Sequence, residues 1–343
     1  MMRILVVTDA WHPQVNGVVR SLESVGAALR ELGAHVAYLT PQGFATVPLP
    51  TYGEIRLALA SPWAVARILD EAAADHVHIA TEGPLGFAAR RCCLRTQRIF
   101  TTSYHTRFPE YISARTRIPE KITYALLRRF HNAGHGIMVS TNSVADELKN
   151  RGFQRLLRWS RGVDHSVFHP SKAITLDLPR PVFLFAGRLA REKNVEAFLS
   201  LDLPGSKLIA GDGPSRRSLQ ENFPQAHFLG MQDAAALAGY YASSDVFVFP
   251  SRTDTFGIVL IEALACGLPV AALPVPGPLD VISGSGAGVL DFDLRAACLA
   301  ALEIPREKAR AHALSFTWEK SACQFLENIS LARLPALQRT DAA

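Results

Sequence analysis

No apolar run in this sequence is long enough to span a bilayer. Every longer stretch is broken by Pro, Gly or a charge well short of the ~20 residues that a spanning helix needs. The opening "MRILVVT" is too short for a secretory h-region and runs directly into Asp9, so a cytoplasmic location is expected. Cysteine is scarce. Cys92, Cys93, Cys266, Cys298 and Cys323 show no paired metal-ligand spacing, and their odd number argues against a disulfide framework, so reduced, buried thiols are expected. No G-x-G-x-x-G follows the first apolar run and no P-loop occurs, which excludes the usual nicotinamide, flavin and NTPase fingerprints. Low-complexity tracts and short internal repeats are also missing.

What is present suits a folded two-domain protein. At 343 residues, with 48% hydrophobic and 20% charged, the chain can build two cores of about 150–170 residues each. Its first half alternates strand-like runs with helical stretches: "RILVVT", a helix from about Val18 to Leu32, "HVAYLT", a helix near Trp63 to Ala74, "HVHIA", "RIFTTSY" and "GIMVST". The second half restarts that rhythm with "PVFLFAG", "SKLIAG", "AHFLG", "DVFVFPS" and "PVAALP". Strands alternating with helices imply parallel sheets covered on both faces, hence two doubly wound domains with a boundary near the Pro-rich 161–181.

The net charge is +5, and its distribution is uneven. Residues 1–165 hold 20 Lys and Arg against 13 Asp and Glu, and ten basic residues between Arg90 and His131 meet only Glu110 and Glu120. An anionic partner is expected at that segment. Within it, Arg115, Arg117, Lys121, Arg128 and Arg129 interleave with Tyr111, Ile112, Ile118, Ile122, Tyr124, Leu126, Leu127 and Phe130, as in a helix lying on an anionic membrane surface. The competing reading is an ordinary solvated helix face.

One stretch carries chemistry. In "SRTDTFGIVLIEALACGLPVAALP", residues 251–274, Asp254 follows a strand-like run, Gly257 opens a helix, and Glu262 lies inside that helix among apolar residues. The helix is predicted over Ile258–Cys266. Helix-start amides attract an anion, a glycine lets a ligand approach the backbone, and a buried carboxylate needs donors. A ligand bearing hydroxyls on one part and phosphates on another meets these needs. The bland alternative makes Asp254 a helix cap and Glu262 a surface residue.

The motifs "GRLAREKN" (Gly187 to Asn194), "GDGP" (Gly211 to Pro214) and "DTFGIVLIEALACGLPV", in this order, resemble the retaining family 4 type of sugar-nucleotide glycosyltransferases. "HPQVNGVVRS", "ATEGPLG", "YHTRFPEY" and "RGVDHSVFHP" further resemble the branch of sulfolipid synthases, glycosyldiacylglycerol synthases and cytosolic mannosyltransferases. The resemblance implies an α/β GT-B fold, two doubly wound Rossmann-like domains facing a central cleft. It places an acceptor-side domain at 1–165 and a nucleotide-sugar domain at 166–316, with a helix of about 317–335 packing back on the first. Its matched residues give Arg188 and Lys193 to the donor diphosphate, Asp254 to the donor sugar's hydroxyls, and Glu262 to the nucleotide ribose. Gly187, Gly211, Gly213 and the amides of Phe256 and Gly257 complete donor binding. His105 falls beside the sugar and β-phosphate, and Asn16 and Gly17 fall in a loop over the reacting centre; a structural histidine and a plain Asn-Gly turn are the competing readings. Asp254 departs from the family's commoner Glu by one methylene.

The expected activity is hexosyl transfer from a nucleoside diphosphate sugar, UDP-sugar favoured, to a lipid such as diacylglycerol at the inner membrane face. No metal and no cofactor are expected, because Arg188 and Lys193 can neutralise the diphosphate. The alternatives are a soluble saccharide acceptor with GDP-mannose as donor, a non-catalytic sugar-nucleotide-binding protein, and, less well matched, a nucleotide-sugar epimerase.

Overall fold

The ten apolar runs read as strands, with one further short strand at an edge of each sheet, form two six-stranded sheets, every pairing in them parallel. The computed structural model describes residues 1–13, 16–49, 52–116 and 118–334. The chain divides into one unit of Met1–Arg161 plus the segment from Trp318, and a second of Gly162–Thr317.

The first unit runs β1 (Arg3–Val7), α1 (Gly17–Glu31), β2 (His35–Leu39), β3 (Thr46–Leu49), β4 (Tyr52–Ala58), α2 (Pro62–Glu71), β5 (His76–Ile79), α3 (Pro84–Arg95) and β6 (Phe100–Tyr104). It continues with α4 (Phe108–Arg115), α5 (Glu120–His131), β7 (Ile137–Val139), α6 (Asn142–Asn150) and β8 (Leu156–Arg158). Its sheet order is β2-β1-β5-β6-β7-β8, with β3 and β4 forming a separate antiparallel ribbon. The second unit runs β9 (Val182–Ala186), α7 (Val195–Leu199), β10 (Ser206–Ala210), α8 (Arg216–Asn222), β11 (His227–Gly230), α9 (Ala234–Ser243) and β12 (Val246–Phe249). It ends with α10 (Ile258–Ala265), β13 (Val270–Ala272), α11 (Pro276–Ile282), β14 (Gly288–Leu290), α12 (Leu294–Ala301) and α13 (Arg306–Ala313). Its order, β11-β10-β9-β12-β13-β14, is that of a Rossmann sheet, in which successive crossovers change direction between β9 and β12.

Local chemistry sets the helix starts. Asn16 accepts hydrogen bonds from the Val18 and Val19 amides at the head of α1, and Ser61 and Asp233 cap α2 and α9 in the same way. The last helix, α14 (Trp318–Arg333), belongs to the first unit. Its Ala322, Phe325 and Ile329 join Leu22, Val25 and Leu29 of α1 in one core, where each fully buried large side chain contributes about 1.5–3 kcal/mol. Polar stitches fix its register: Ser321 donates to the Ser160 carbonyl, Asn328 donates to that of Arg158, and Gln324 accepts from the Ser160 amide.

The basic segment departs from a single interfacial helix. It is split into α4 and α5, with Pro119 capping α5, and Tyr124, Leu127 and Phe130 face the core. Arg107 is turned inward onto Glu147 and Glu110, and Arg90 donates to the Arg129 and Phe130 carbonyls. What stays exposed is Lys121, Arg128 and Arg129 beside Ile118, Ile122 and Leu126. Arg117 and the Arg115 side chain lie outside the described residues. No helix among those described is long and apolar enough to cross a membrane.

Candidate active site

The crossover reversal between β9 and β12 opens a crevice at the carboxyl ends of these two strands, and the predicted donor-binding residues of the second unit hang from it. Gly187 directly follows β9, Gly211 directly follows β10, and Asp254 lies in the loop after β12. The loops interlock through backbone. The Gly187 amide donates to Ala210 O, the Gly211 amide to Gly230 O, and the Leu189 amide to Asp212 O. Gly211 has φ +137°, and a Cβ there would stand 1.9 Å from the Gly187 carbonyl oxygen; one at Gly213 would stand 2.5 Å from Leu189 O. These glycines are therefore required by loop-on-loop packing. Gly257 is similar: φ is +79°, and a Cβ would press on Phe249 and Leu260 at 3.0 Å, so the protein itself requires glycine there. A glycine open to a ligand was expected here, and the fold has its own need for one.

Residues 191–193 make a single 3-10 turn that ends at Asn194, whose left-handed backbone suits Asn. Asn194 Nδ2 donates to Pro250 O, and Ser251 Oγ donates to Glu192 O, so the turn is pinned to the loop after β12. The result is an ion pair: Lys193 Nζ donates to Asp254 Oδ1 at 2.5 Å. The other carboxylate oxygen, Asp254 Oδ2, is buried without a hydrogen-bond partner among the described residues, and so is Thr253 Oγ1. Two buried, unpartnered polar atoms on consecutive residues fit a ligand carrying hydroxyls. Half-buried Arg188 follows Gly187, and the Phe256 backbone lies under Gly277 at the start of α11.

Glu262 sits inside α10, only 1% exposed, on a helix whose residues 260–265 are all buried. That rules out the surface-residue alternative. Burial, and then the neighbouring Glu262 charge, pushes the Cys266 thiol up to about 12, which makes this cysteine inert.

In the first unit His105 follows β6, and its Nδ1 lies 3.1 Å from Arg161 Nη2. Its ring meets Trp159 edge-on at 5.7 Å, and its Nε2 is out of contact with solvent. Burial, then the Arg161 charge, holds this imidazole well below its usual pKa. Asn16 is accounted for as the α1 cap and Gly17 as the first residue of that helix.

Three polar constellations escaped the sequence reading, the Arg161–His105 contact just described and two more. Asp9, two residues past β1, accepts from the Leu85 and Gly86 amides and from Thr81 Oγ1, capping α3 from another loop. A Cβ at Gly83 would collide with Asp9 Cγ at 2.3 Å, which explains that glycine of "ATEGPLG". His131 bridges Glu82 and Thr102 in the core. The signal for Asp9 was visible, a lone carboxylate just past the first strand; for Arg161 it was an arginine heading a segment read as a linker.

Among the described residues no group of three His, Cys, Asp or Glu could hold a metal ion. The sequence reading took no Asp-x-Asp for a metal site, yet one stands at Asp291-Phe292-Asp293; Asp293 caps α12 and Asp291 accepts from the Asp293 amide.

The comparisons with known proteins agree with this picture. The family described as "Glycosyltransferase Family 4" matches residues 15–167, and "Glycosyl transferases group 1" matches residues 180–303. A GDP-mannose-dependent alpha-mannosyltransferase of Mycobacterium tuberculosis is 33% identical over 320 residues, covering 84% of this chain and 83% of that protein. An alpha-monoglucosyldiacylglycerol synthase of Streptococcus pneumoniae is 26% identical, covering 92% of this chain and 81% of its own. In fold, the sucrose-phosphate synthase of Thermosynechococcus elongatus superposes with a TM-score of 0.76 at 18% identity, covering 95% of this chain and 98% of that one. These findings set aside the non-catalytic reading. With a sugar-transferase family matched in each half, the chain belongs to the family 4 glycosyltransferases, GT-B enzymes that draw on a nucleotide-sugar donor.

Proposed function

We propose that this enzyme transfers a hexosyl group from a nucleoside diphosphate hexose to a lipid acceptor at an anionic membrane surface, with GDP-mannose as the donor. The observation that carries the reading is the Lys193–Asp254 pair beside the β9/β12 crevice, with Asp254 Oδ2 buried and unmet. Breaking the sugar–phosphate bond leaves negative charge on the diphosphate, and Arg188 and Lys193 supply positive charge on the loop after β9. Asp254 Oδ2 accepts a sugar hydroxyl, and Glu262 accepts from the ribose hydroxyls, a role that justifies a carboxylate 1% exposed. The resemblance adds retention of anomeric configuration and places His105 beside the sugar and β-phosphate.

GDP-mannose is preferred to the UDP-sugar suggested by the motifs because a relative whose name specifies it is 33% identical, against 26% for the glucosyldiacylglycerol synthase. The lipid acceptor rests on the exposed α5 face, where Ile122 and Leu126 stand 61% and 53% exposed among Lys121, Arg128 and Arg129. A soluble saccharide acceptor is the second reading, favoured by the inward turn of Tyr124, Leu127 and Phe130.

The test offers GDP-mannose or UDP-glucose, with and without vesicles of phosphatidylglycerol and diacylglycerol. Mass spectrometry then follows the lipid extract and chromatography follows the nucleotide. A mannolipid made with release of GDP supports the proposal. A glucolipid from UDP-glucose replaces the donor, and a water-soluble glycoside replaces the acceptor.

A further inference from the structure

Arg161 is 5% exposed, and no carboxylate accompanies its guanidinium among the described residues. It is held in place on three sides. Nη1 donates to Trp159 O at 2.7 Å and to Ser160 O at 3.2 Å, and the guanidinium carbon lies 4.2 Å from the centre of the Trp159 ring. Nη2 then faces His105 Nδ1 at 3.1 Å.

A guanidinium has five N–H donors and no acceptor. The atom it meets must therefore offer a lone pair, so His105 Nδ1 is unprotonated. A neutral imidazole carries its single proton on the other nitrogen, and an imidazolium would set two donors and two cations against each other. We infer that Arg161 is a positioning residue that fixes His105 as a neutral imidazole with its proton on Nε2, so that His105 acts on the donor substrate as a hydrogen-bond donor and never as a base. This is the reverse of a carboxylate–histidine dyad, where an acid on Nδ1 makes Nε2 a proton acceptor. The oxygen that Nε2–H serves is a sugar hydroxyl or a phosphate oxygen of the nucleoside diphosphate hexose. That assignment rests on the proposed place of His105 beside the donor.

The groups that bear on His105 fit the same assignment. Arg161, His78 of β5 and His131 of α5 each disfavour its cation. His78 is committed to its own hydrogen bonds with Thr101 and Ser103, and burial holds it well below its usual pKa. None of these three groups stabilises an imidazolium.

Nitrogen-15 NMR on the full chain, labelled at histidine and with the His105 signal identified by its loss in His105→Gln, reads the tautomer directly. The expected spectrum shows a protonated Nε2 and a bare Nδ1 from pH 5.5 to 8, with no titration. Arg161→Met should let the ring exchange tautomers while burial still holds it neutral, and should lower kcat roughly tenfold at unchanged affinity for the nucleotide. Arg161→Lys, which keeps a donor, should restore most of both. His105→Gln, whose amide nitrogen falls where Nε2 stood, should keep more turnover than His105→Ala. A wild-type ring protonated on Nδ1, or titrating near pH 6.5, overturns the inference, as does an Arg161→Met enzyme that loses turnover with an unchanged His105 spectrum. Should that variant fail to fold, the wild-type spectrum and Arg161→Lys decide. Full activity in His105→Ala removes His105 from the donor site, an outcome separate from the tautomer.

Discussion

Lys193 and Asp254, 61 residues apart in sequence, meet through one hydrogen-bonded ion pair of 2.5 Å, with side chains 23% and 16% exposed. The pair joins the 191–194 turn to the loop after β12 and balances the Asp254 charge while leaving Oδ2 to a ligand. Because each residue holds the other, their contributions to turnover should not add. In a double-mutant cycle of Lys193→Met and Asp254→Asn on kcat/KM, the coupling should be about 1–3 kcal/mol. Strict additivity would mean that the two residues act on the donor separately.

Glu262 and Arg188 should fail differently. Ribose contacts exist in the ground and transition states alike, so Glu262→Gln should weaken donor binding by calorimetry, on the order of tenfold, while turnover at saturation changes little. Diphosphate charge grows as the bond breaks, so Arg188→Ala should lower kcat on the order of a hundredfold, by analogy with the loss of an oxyanion-hole donor. Undiminished donor affinity in Glu262→Gln would refute its assignment to the ribose.

The membrane face calls for a different pair of substitutions from the adjacent arginines. Arg128 Nη1 donates to Arg151 O and so has a structural task, whereas Lys121 and Arg129 present exposed side chains. At about 1 kcal/mol per basic residue near an anionic surface, Lys121→Glu with Arg129→Glu should weaken vesicle binding by roughly thirtyfold or more at low salt. The melting temperature should hold, because exposed charges contribute little to folding. Adding Ile122→Ser and Leu126→Ser should remove the residual adhesion at high salt. Co-sedimentation that ignores lipid charge would return the soluble acceptor to first place.

Metal dependence follows from the same electrostatics. If Arg188 and Lys193 neutralise the departing diphosphate, turnover in excess EDTA should stay within about twofold of the untreated enzyme. Activity that vanishes in chelator and returns with magnesium or manganese would take that task away from them.

Buried histidines make the first unit acid-sensitive. Burial holds His76 down to about 3, and His78 and His105 well below their usual value. The folded chain therefore keeps these rings neutral while the unfolded chain protonates them below about pH 6.5. Each contributes stability that is fully present above that pH and is lost as pH falls toward the folded pKa, by up to about 1.4 kcal/mol per pH unit. Urea melts at pH 7 and pH 5.5 should show the loss, and His76→Gln should reduce the proton uptake on unfolding by about one. An unfolding free energy flat over that interval would mean that the rings are already charged in the native state.

The sequence revealed the parallel sheets because their strands are apolar on both faces: every residue of β9 and of β12 is buried, and such runs stand out between helices. The ribbon of β3 and β4 did not show itself, since Pro48 and Arg56 interrupt any alternation. Nor did β8 and β14, three residues each and mostly half-buried. Around the site, Asp254, Gly257 and Glu262 could be picked out because one stretch contains them all. The Lys193–Asp254 contact, the Asp9 cap on α3 and the Arg161–His105 contact were hidden, because each joins residues 56 or more positions apart and leaves no periodic trace. The α5 face was ambiguous for the opposite reason: an apolar and basic alternation reads the same whether its apolar half turns toward lipid or toward the core.

The return of α14 to the first unit has a consequence for biosynthesis. Its Phe325 and Ile329 complete a core begun by β1 and α1, yet a ribosome makes them after every residue of the second unit. The contiguous second unit can close as soon as it emerges. The first must wait, its α1 groove uncovered, until translation has passed residue 329. Nascent chains fold by domain and usually from the amino terminus; here the later-made unit is the first able to finish. Stalled chains ending near residue 317 should therefore expose an apolar groove that chaperones can bind, beside a second unit that already resists protease.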